Sequence, residues 1–311
     1  MESIIGHDKI LDFFDKTTKA GNLSHAYLFV GQKGVGKTTV AEFLAKQLLE
    51  VENLATSPDF HFTEQLFDEK TGKTKKNITI AQMRELREYL SRSSYSGGYK
   101  ISIINNAEKM NKEAANGLLK TLEEPSKKTI LFLLTPDENL LPETIQSRCQ
   151  MVYFHPVQKK LIEKFLLDSD LSADEAEAMS RLSTGLPGLA KRWLVDNEEY
   201  EWHKTEVLRF ADLSGKTFHE KISRVEELFG DKTDHIATRD KLIKVLNIWQ
   251  VLLRDGFLSE KLVEQKIHKI QGNLDNVQTA KTYSIIEEAK NLLNQNIHPR
   301  LVVENILLNI N

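Results

Sequence analysis

Strands alternating with helices over the first ~150 residues, a glycine-rich turn between an apolar strand and a periodic helix, and helical periods alone thereafter predict an α/β fold. The expected architecture is a mostly parallel sheet covered on both faces, then a small helical domain, then an all-α C-terminal domain. Residues 24–49 carry the first unit: SHAYLFV is a short apolar strand, GQKGVGK a turn, and TTVAEFLAKQLL places Val40, Phe43, Leu44 and Leu48 at helical spacing. Residues 59–67, DFHFTEQLF, suit a second strand, and the lysine-bearing DEKTGKTKKN after them suits a solvated turn or protruding loop. IAQMRELREYL reads as a helix, KISIINN as a third strand, and NKEAANGLLKTLEEP as a helix closed by Pro125. TILFLLT, residues 129–135, is the fourth strand; LPETIQSR starts a short helix with Pro142 in its first turn, and CQMVYF is the fifth strand.

After His155 and Pro156 the strands stop, and helical periods run from 157 to 194 with a break at STGLPG, residues 183–188. From 198 to 311 the pattern stays helical, with turns at LSGK and DGF and a last helix after Pro299. That helix offers Leu301, Val302, Ile306 and Ile310 for packing, either inside a bundle or against neighbouring chains. The expected domains are 1–155, 156–197 and 198–311.

Composition narrows the function. Lys plus Arg is 42 against 45 Asp plus Glu, so a net charge of −3 gives no footprint of a chain that grips nucleic acid over its whole surface. One cysteine, Cys149, excludes an internal disulfide framework and any multi-cysteine zinc site. It reads as a buried strand residue rather than a reactive thiol. No apolar run approaches the ~18–20 residues that span a bilayer, and MESIIGHDKI lacks the pattern of an export signal, so a cytoplasmic protein is expected.

The turn fits a phosphate-binding loop, with Gly31, Gly34, Gly36, Lys37, Thr38 and Thr39 in the required strand-to-helix context. Glycines let backbone N–H groups approach phosphate oxygens and the helix N-terminus adds a favourable dipole. Lys37 would reach the outer phosphates and Thr38 a magnesium ion, making ATP or ADP with magnesium the candidate ligand. Hydrolysis needs carboxylates at the end of the third strand, and the sequence sets Asn105 and Asn106 there. An amide orients water but accepts no proton at neutral pH. Glu108 follows closely, and the spacing places it beyond the strand tip as a solvated carboxylate.

SHAYLFVGQKGVGKTT, ITIAQMRELREYL, YKISIINNAEKMNKEAANGLLKTLEEP and LLTPDENLLPETIQSRC, taken in order, resemble the clamp-loader branch of the AAA+ P-loop ATPases. The resemblance is dense over residues 4–154, fair over 155–195 and architectural beyond. It implies a heteropentamer with gamma/tau-like motor subunits and a delta-like subunit, which opens a sliding clamp and places it on primed DNA. Within it, this chain resembles the rigid stator, whose Ser147, Arg148 and Cys149 present Arg148 as an arginine finger to the nucleotide of the adjacent subunit. The C-terminal domain would join the family's collar, and Thr135 matches its polar sensor position. Where motor subunits carry a lid arginine, this chain has GLPGLAKR, with Pro187 and Gly188 at the expected site and Lys191 and Arg192 nearby. The four-cysteine zinc module common in such subunits is absent, since residues 50–60 cross directly. Three readings stand: a non-hydrolysing arginine donor, an active motor in which Glu108 or another residue replaces the missing acids, or a nucleotide-dependent DNA-binding switch outside replication, which the acidic balance and lack of a basic stripe disfavour.

Overall fold

Five parallel strands build the sheet that positions the phosphate loop. In the computed structural model, which describes residues 4–68, 72–126, 128–213, 215–229, 235–254, 276–295 and 297–310, the chain forms two compact units. One is Met1–Ala176 with Gly185–Lys191, the other Glu177–Thr184 with Arg192–Asn311, so residues 156–197 contribute to both.

The first unit begins with α1 (Asp8–Lys19), β1 (Ala26–Val30) and α2 (Lys37–Leu49). There follow β2 (Phe60–Thr63), the short β3 (Phe67–Asp68) and β4 (Lys73–Thr74), and α3 (Ile80–Ser91). Then come β5 (Lys100–Ile104), α4 (Lys112–Glu123), β6 (Thr129–Thr135), α5 (Glu143–Gln146), β7 (Gln150–Tyr153) and α6 (Lys159–Leu167). The sheet order is β2-β5-β6-β1-β7, with every pairing parallel. All residues of β1, β5 and β6 are buried, because alternate side chains serve two cores. Leu28, Leu131 and Leu133 pack with Leu86 of α3 and Leu118 of α4 on one face. On the other, Tyr27, Phe29 and Phe132 pack with Phe14 of α1 and Leu44 of α2.

Local chemistry sets the helix ends. α3 starts in a capping box of Thr79 with Gln82, and α4 starts where the Asn111 side chain accepts from the Ala114 amide at 2.8 Å. Pro125 follows the end of α4.

Two elements depart from the sequence reading. The second strand stops at Thr63, where its ladder with β5 ends, and β3 pairs with β4 in a separate antiparallel ladder. Gln65 closes the base of that hairpin by donating to the carbonyls of Lys75 and Lys76 at 3.0 and 2.7 Å. Residues 69–71 of the expected loop lie outside the described residues. α1 is a helix the reading did not identify; it buries Phe14 against Tyr27, with ring centroids 4.8 Å apart.

Helices α7 (Ala173–Leu182) and α8 (Pro187–Val195) are divided between the units. The second unit continues with α9 (Asn197–Leu213), α10 (Phe218–Val225), α11 (His235–Arg254), α12 (Asn276–Asn294) and α13 (Pro299–Asn309). Trp249 packs on Phe210 at 5.2 Å, and Val302, Ile306 and Ile310 are buried within the unit, whereas Leu301 is 62% exposed. The turn expected at DGF, residues 255–257, lies outside the described residues.

His203 of α9 sits 4.7 Å from the Trp193 ring, and burial lowers its imidazole to about 4. The unfolded chain takes a proton at this residue below about pH 6.5 and the folded one only below about 4. Its contribution is therefore present at neutral pH and lost as pH falls, by about 2 kcal/mol from about pH 7.5 to about pH 5. Urea titrations followed by tryptophan fluorescence should show that loss in the wild type and a smaller one in His203→Phe.

Candidate nucleotide site

In a parallel sheet the C-terminal ends of all strands share one edge, and ligand groups collect there. The phosphate loop leaves β1 at that edge. The Gly31 amide donates to the Thr135 carbonyl of β6 at 3.2 Å, and a Cβ on Gly31 would lie 2.5 Å from the Phe154 carbonyl oxygen, so only glycine fits. Gly36 then caps α2 with φ 114, and Lys37, Thr38 and Thr39 form its first turn. The Lys37 ammonium donates to the carbonyls of Gly31 and, at 3.1 Å, Gln32. Burial lowers Lys37 to about 8, while the negative charge of Glu108 acts in the opposite direction.

Asn105 and Asn106 follow β5 at the same edge. The Asn105 amide donates to Glu64 Oε2 at 3.3 Å, and Asn106 is left-handed, with φ 53 and ψ 54. That bend opens a short 3₁₀ turn, Ala107–Lys109, whose Ala107 is fully buried. The turn corrects the solvated placement of Glu108, because its Oε2 is closed to solvent and has no hydrogen-bond partner. Thr135 at the end of β6 is buried, and its hydroxyl donates to the Asp137 carbonyl at 2.8 Å.

A small open cleft adjoins the loop, lined by Ile4, Ile5, His7, Gly36, Thr39 and, from α8, Pro187, Gly188 and Lys191. His7 was not identified from the sequence. Its Nε2 donates to the Val35 carbonyl at 2.8 Å and its ring lies 4.9 Å from Phe154, so it braces the loop; burial lowers its pKa.

Arg148 lies elsewhere. It precedes β7, and the register Tyr27↔Gln150 puts it at the N-terminal edge of the sheet. Some six residues of strand, about 20 Å, separate that level from the start of the loop. Its Nη2 pairs with Glu123 Oε1 at 2.7 Å and its Nη1 donates to the Thr144 carbonyl at 2.8 Å. Neighbouring Cys149 is half-buried, and burial pushes its thiol up to about 12, as suits an inert residue.

The profile of the family described as "DNA polymerase III, delta subunit" matches residues 6–158. DNA polymerase III subunit tau of Salmonella typhimurium is 28% identical over 60% of this chain but only 30% of its own length. DNA polymerase III subunit delta′ of Bacillus subtilis is 28% identical over 96% of this chain and 94% of that protein. The chain thus resembles the clamp-loader subunits of DNA polymerase III, and delta′ over nearly its whole length. A gamma subunit-related protein of DNA polymerase III from Thermotoga maritima shares the fold, with a TM-score of 0.52, 17% identity and coverage of 95% of this chain and 97% of that one.

GLPGLAKR, the stretch expected to stand where motor subunits carry a lid arginine, makes a backbone contact with the phosphate loop. The Gly188 amide donates to the Gly34 carbonyl at 2.8 Å, and a Cβ on Gly188 would lie 2.9 Å from that oxygen. The first turn of α8 thus rests on the phosphate loop at a distance that excludes side chains. Lys191 lines the cleft, whereas Arg192 pairs with Glu199 at 3.4 Å. Gly188→Ala should cost about 1–3 kcal/mol by overpacking, and calorimetric melting would detect it. An unchanged melting temperature would contradict so close a contact.

Among the described residues no His, Cys, Asp and Glu cluster could hold a metal, and no helix is long and apolar enough to cross a membrane.

Proposed function

We propose that this chain is the non-hydrolysing stator of a cytoplasmic clamp loader, lending Arg148 to the nucleotide of an adjacent motor subunit. The observation that carries this reading is the position of Arg148. An arginine side chain does not reach across about 20 Å of sheet to its own phosphate loop, so any phosphate it serves belongs to another chain. A guanidinium supplied in trans neutralises charge developing on the transferred phosphoryl group, an effect of about 10³–10⁵ in rate. The ion pair with Glu123 holds the guanidinium at the sheet edge.

The chain's own site is built for holding nucleotide. Loop amides and Lys37 would take the phosphates, and the cleft beside Ile4 and Ile5 offers an apolar shelf for the base. Thr38 would hold magnesium, which would offset the charge of the phosphates; the closed, unpartnered Glu108 Oε2 fits a site that takes a cation. Asn105, bonded to Glu64, cannot serve as a general base. Residues 156–197 form the lid and 198–311 the collar that assembles with gamma/tau-like and delta-like subunits in a heteropentamer. That assembly loads a sliding clamp onto primed DNA.

Reconstitution tests this reading. Arg148→Ala should leave assembly intact and lower DNA- and clamp-stimulated hydrolysis at the one adjoining site by about 10³-fold, with little rescue by Arg148→Lys. Lys37→Ala in this chain should leave most loading activity. Normal loading by Arg148→Ala together with failure of Lys37→Ala would contradict the stator assignment.

A further inference from the structure

Buried carboxylate oxygens in folded proteins are paired, hydrogen-bonded or set against a cation, because an isolated one is costly. Glu108 Oε2 is closed to solvent and has no partner. Its placement is fixed by the backbone. The left-handed Asn106 starts the turn, buried Ala107 anchors it, and the Lys109 carbonyl accepts from the Ile78 amide at 2.8 Å. The charge of Glu108 acts on Lys37, whose ammonium bonds to the carbonyls of Gly31 and Gln32 instead. Carboxylate and ammonium thus interact through charge with no hydrogen bond between them. Asn105 is engaged with Glu64, and Glu108 Oε2 has no such partner.

A carboxylate facing a phosphate cradle has opposite effects under two conditions. Without a metal it repels the phosphates that Lys37 attracts. With magnesium it gains a partner, since this ion keeps several waters, and their hydrogens suit a carboxylate one shell out. We propose that Glu108 is this chain's metal-facing carboxylate, accepting from a water of the nucleotide-bound magnesium, so that the loop takes the magnesium nucleotide and disfavours the metal-free one. The proposal rests on the reading of the loop as a nucleotide site. It gives the chain a device for holding the physiological form of the ligand after the strand-end acids are gone. It also assigns Glu108 to grip, in a site where neither asparagine supplies a base.

The test is calorimetric titration of the full chain with ADP, in magnesium and in EDTA, for the wild type and Glu108→Gln. Glutamine keeps the shape and removes the charge. In magnesium the variant should bind about tenfold more weakly, the usual scale for an outer-shell partner. In EDTA it should bind more tightly than the wild type, so the two curves cross. Manganese-ADP followed by electron paramagnetic resonance should show the same loss of bound metal. An equal effect of the substitution in both buffers, or none, overturns the role of Glu108 and leaves nucleotide binding standing. No binding by the wild type in either buffer overturns the nucleotide reading and this proposal with it. Should Glu108→Gln fail to fold, the wild type alone decides: ADP binding that is indifferent to magnesium overturns the proposal.

Discussion

The parallel pairing of β1 with β6 on one side and β7 on the other is the constraint on which the site depends. It fixes where the chain leaves the sheet at Val30 and sets the level at which Gly31 meets the Thr135 carbonyl. It also brings Phe154, at the end of β7, close enough to exclude any side chain at Gly31. The pairing holds because both faces of these strands are buried, so a register slip would carry Tyr27 and Phe29 into the core of Leu28 and expose neither set to water. Loss of packing between two filled cores, rather than solvation, is what opposes the slip.

Strand polarity then sorts the chemistry by edge. Groups that follow a strand, the loop after β1, the asparagines and Glu108 after β5, and Thr135 of β6, gather at one end. Arg148, which precedes β7, and Glu123, which closes α4, meet at the other. A single domain can therefore hold its own nucleotide at one end and present an arginine to another chain at the opposite end, with neither group able to serve both. The Gly188–Gly34 contact adds to this arrangement, since a backbone hydrogen bond joins the first turn of α8 to the loop.

Much of this was legible in the sequence where the signal is local. The strand–glycine turn–helix of residues 24–49 declares itself because each part has its own composition and spacing, and TILFLLT is β6 residue for residue. The hairpin of β3 and β4 was not separable from β2, because what divides them is the end of a ladder with β5, a partner some 40 residues on. Glu108 was misplaced for a related reason. Spacing along an extended chain carries it past the strand tip, and the left-handed turn at Asn106 brings it back. His7 gave no motif, since its role comes from reaching Val35 across 28 residues. The sequence order of Arg148 could not reveal its edge either; only the register with β1 does.

The central claim is that this chain keeps a nucleotide site for holding and not for hydrolysis. The most direct measurement is ATP turnover by the purified full chain under conditions where its binding of ATP is saturated, with Lys37→Ala as the control. The account predicts saturable binding with phosphate release no faster than in the control, because no base stands at the end of β5. Turnover at about 1 s⁻¹ or faster, within the ordinary range of enzymes and abolished by Lys37→Ala, would contradict it.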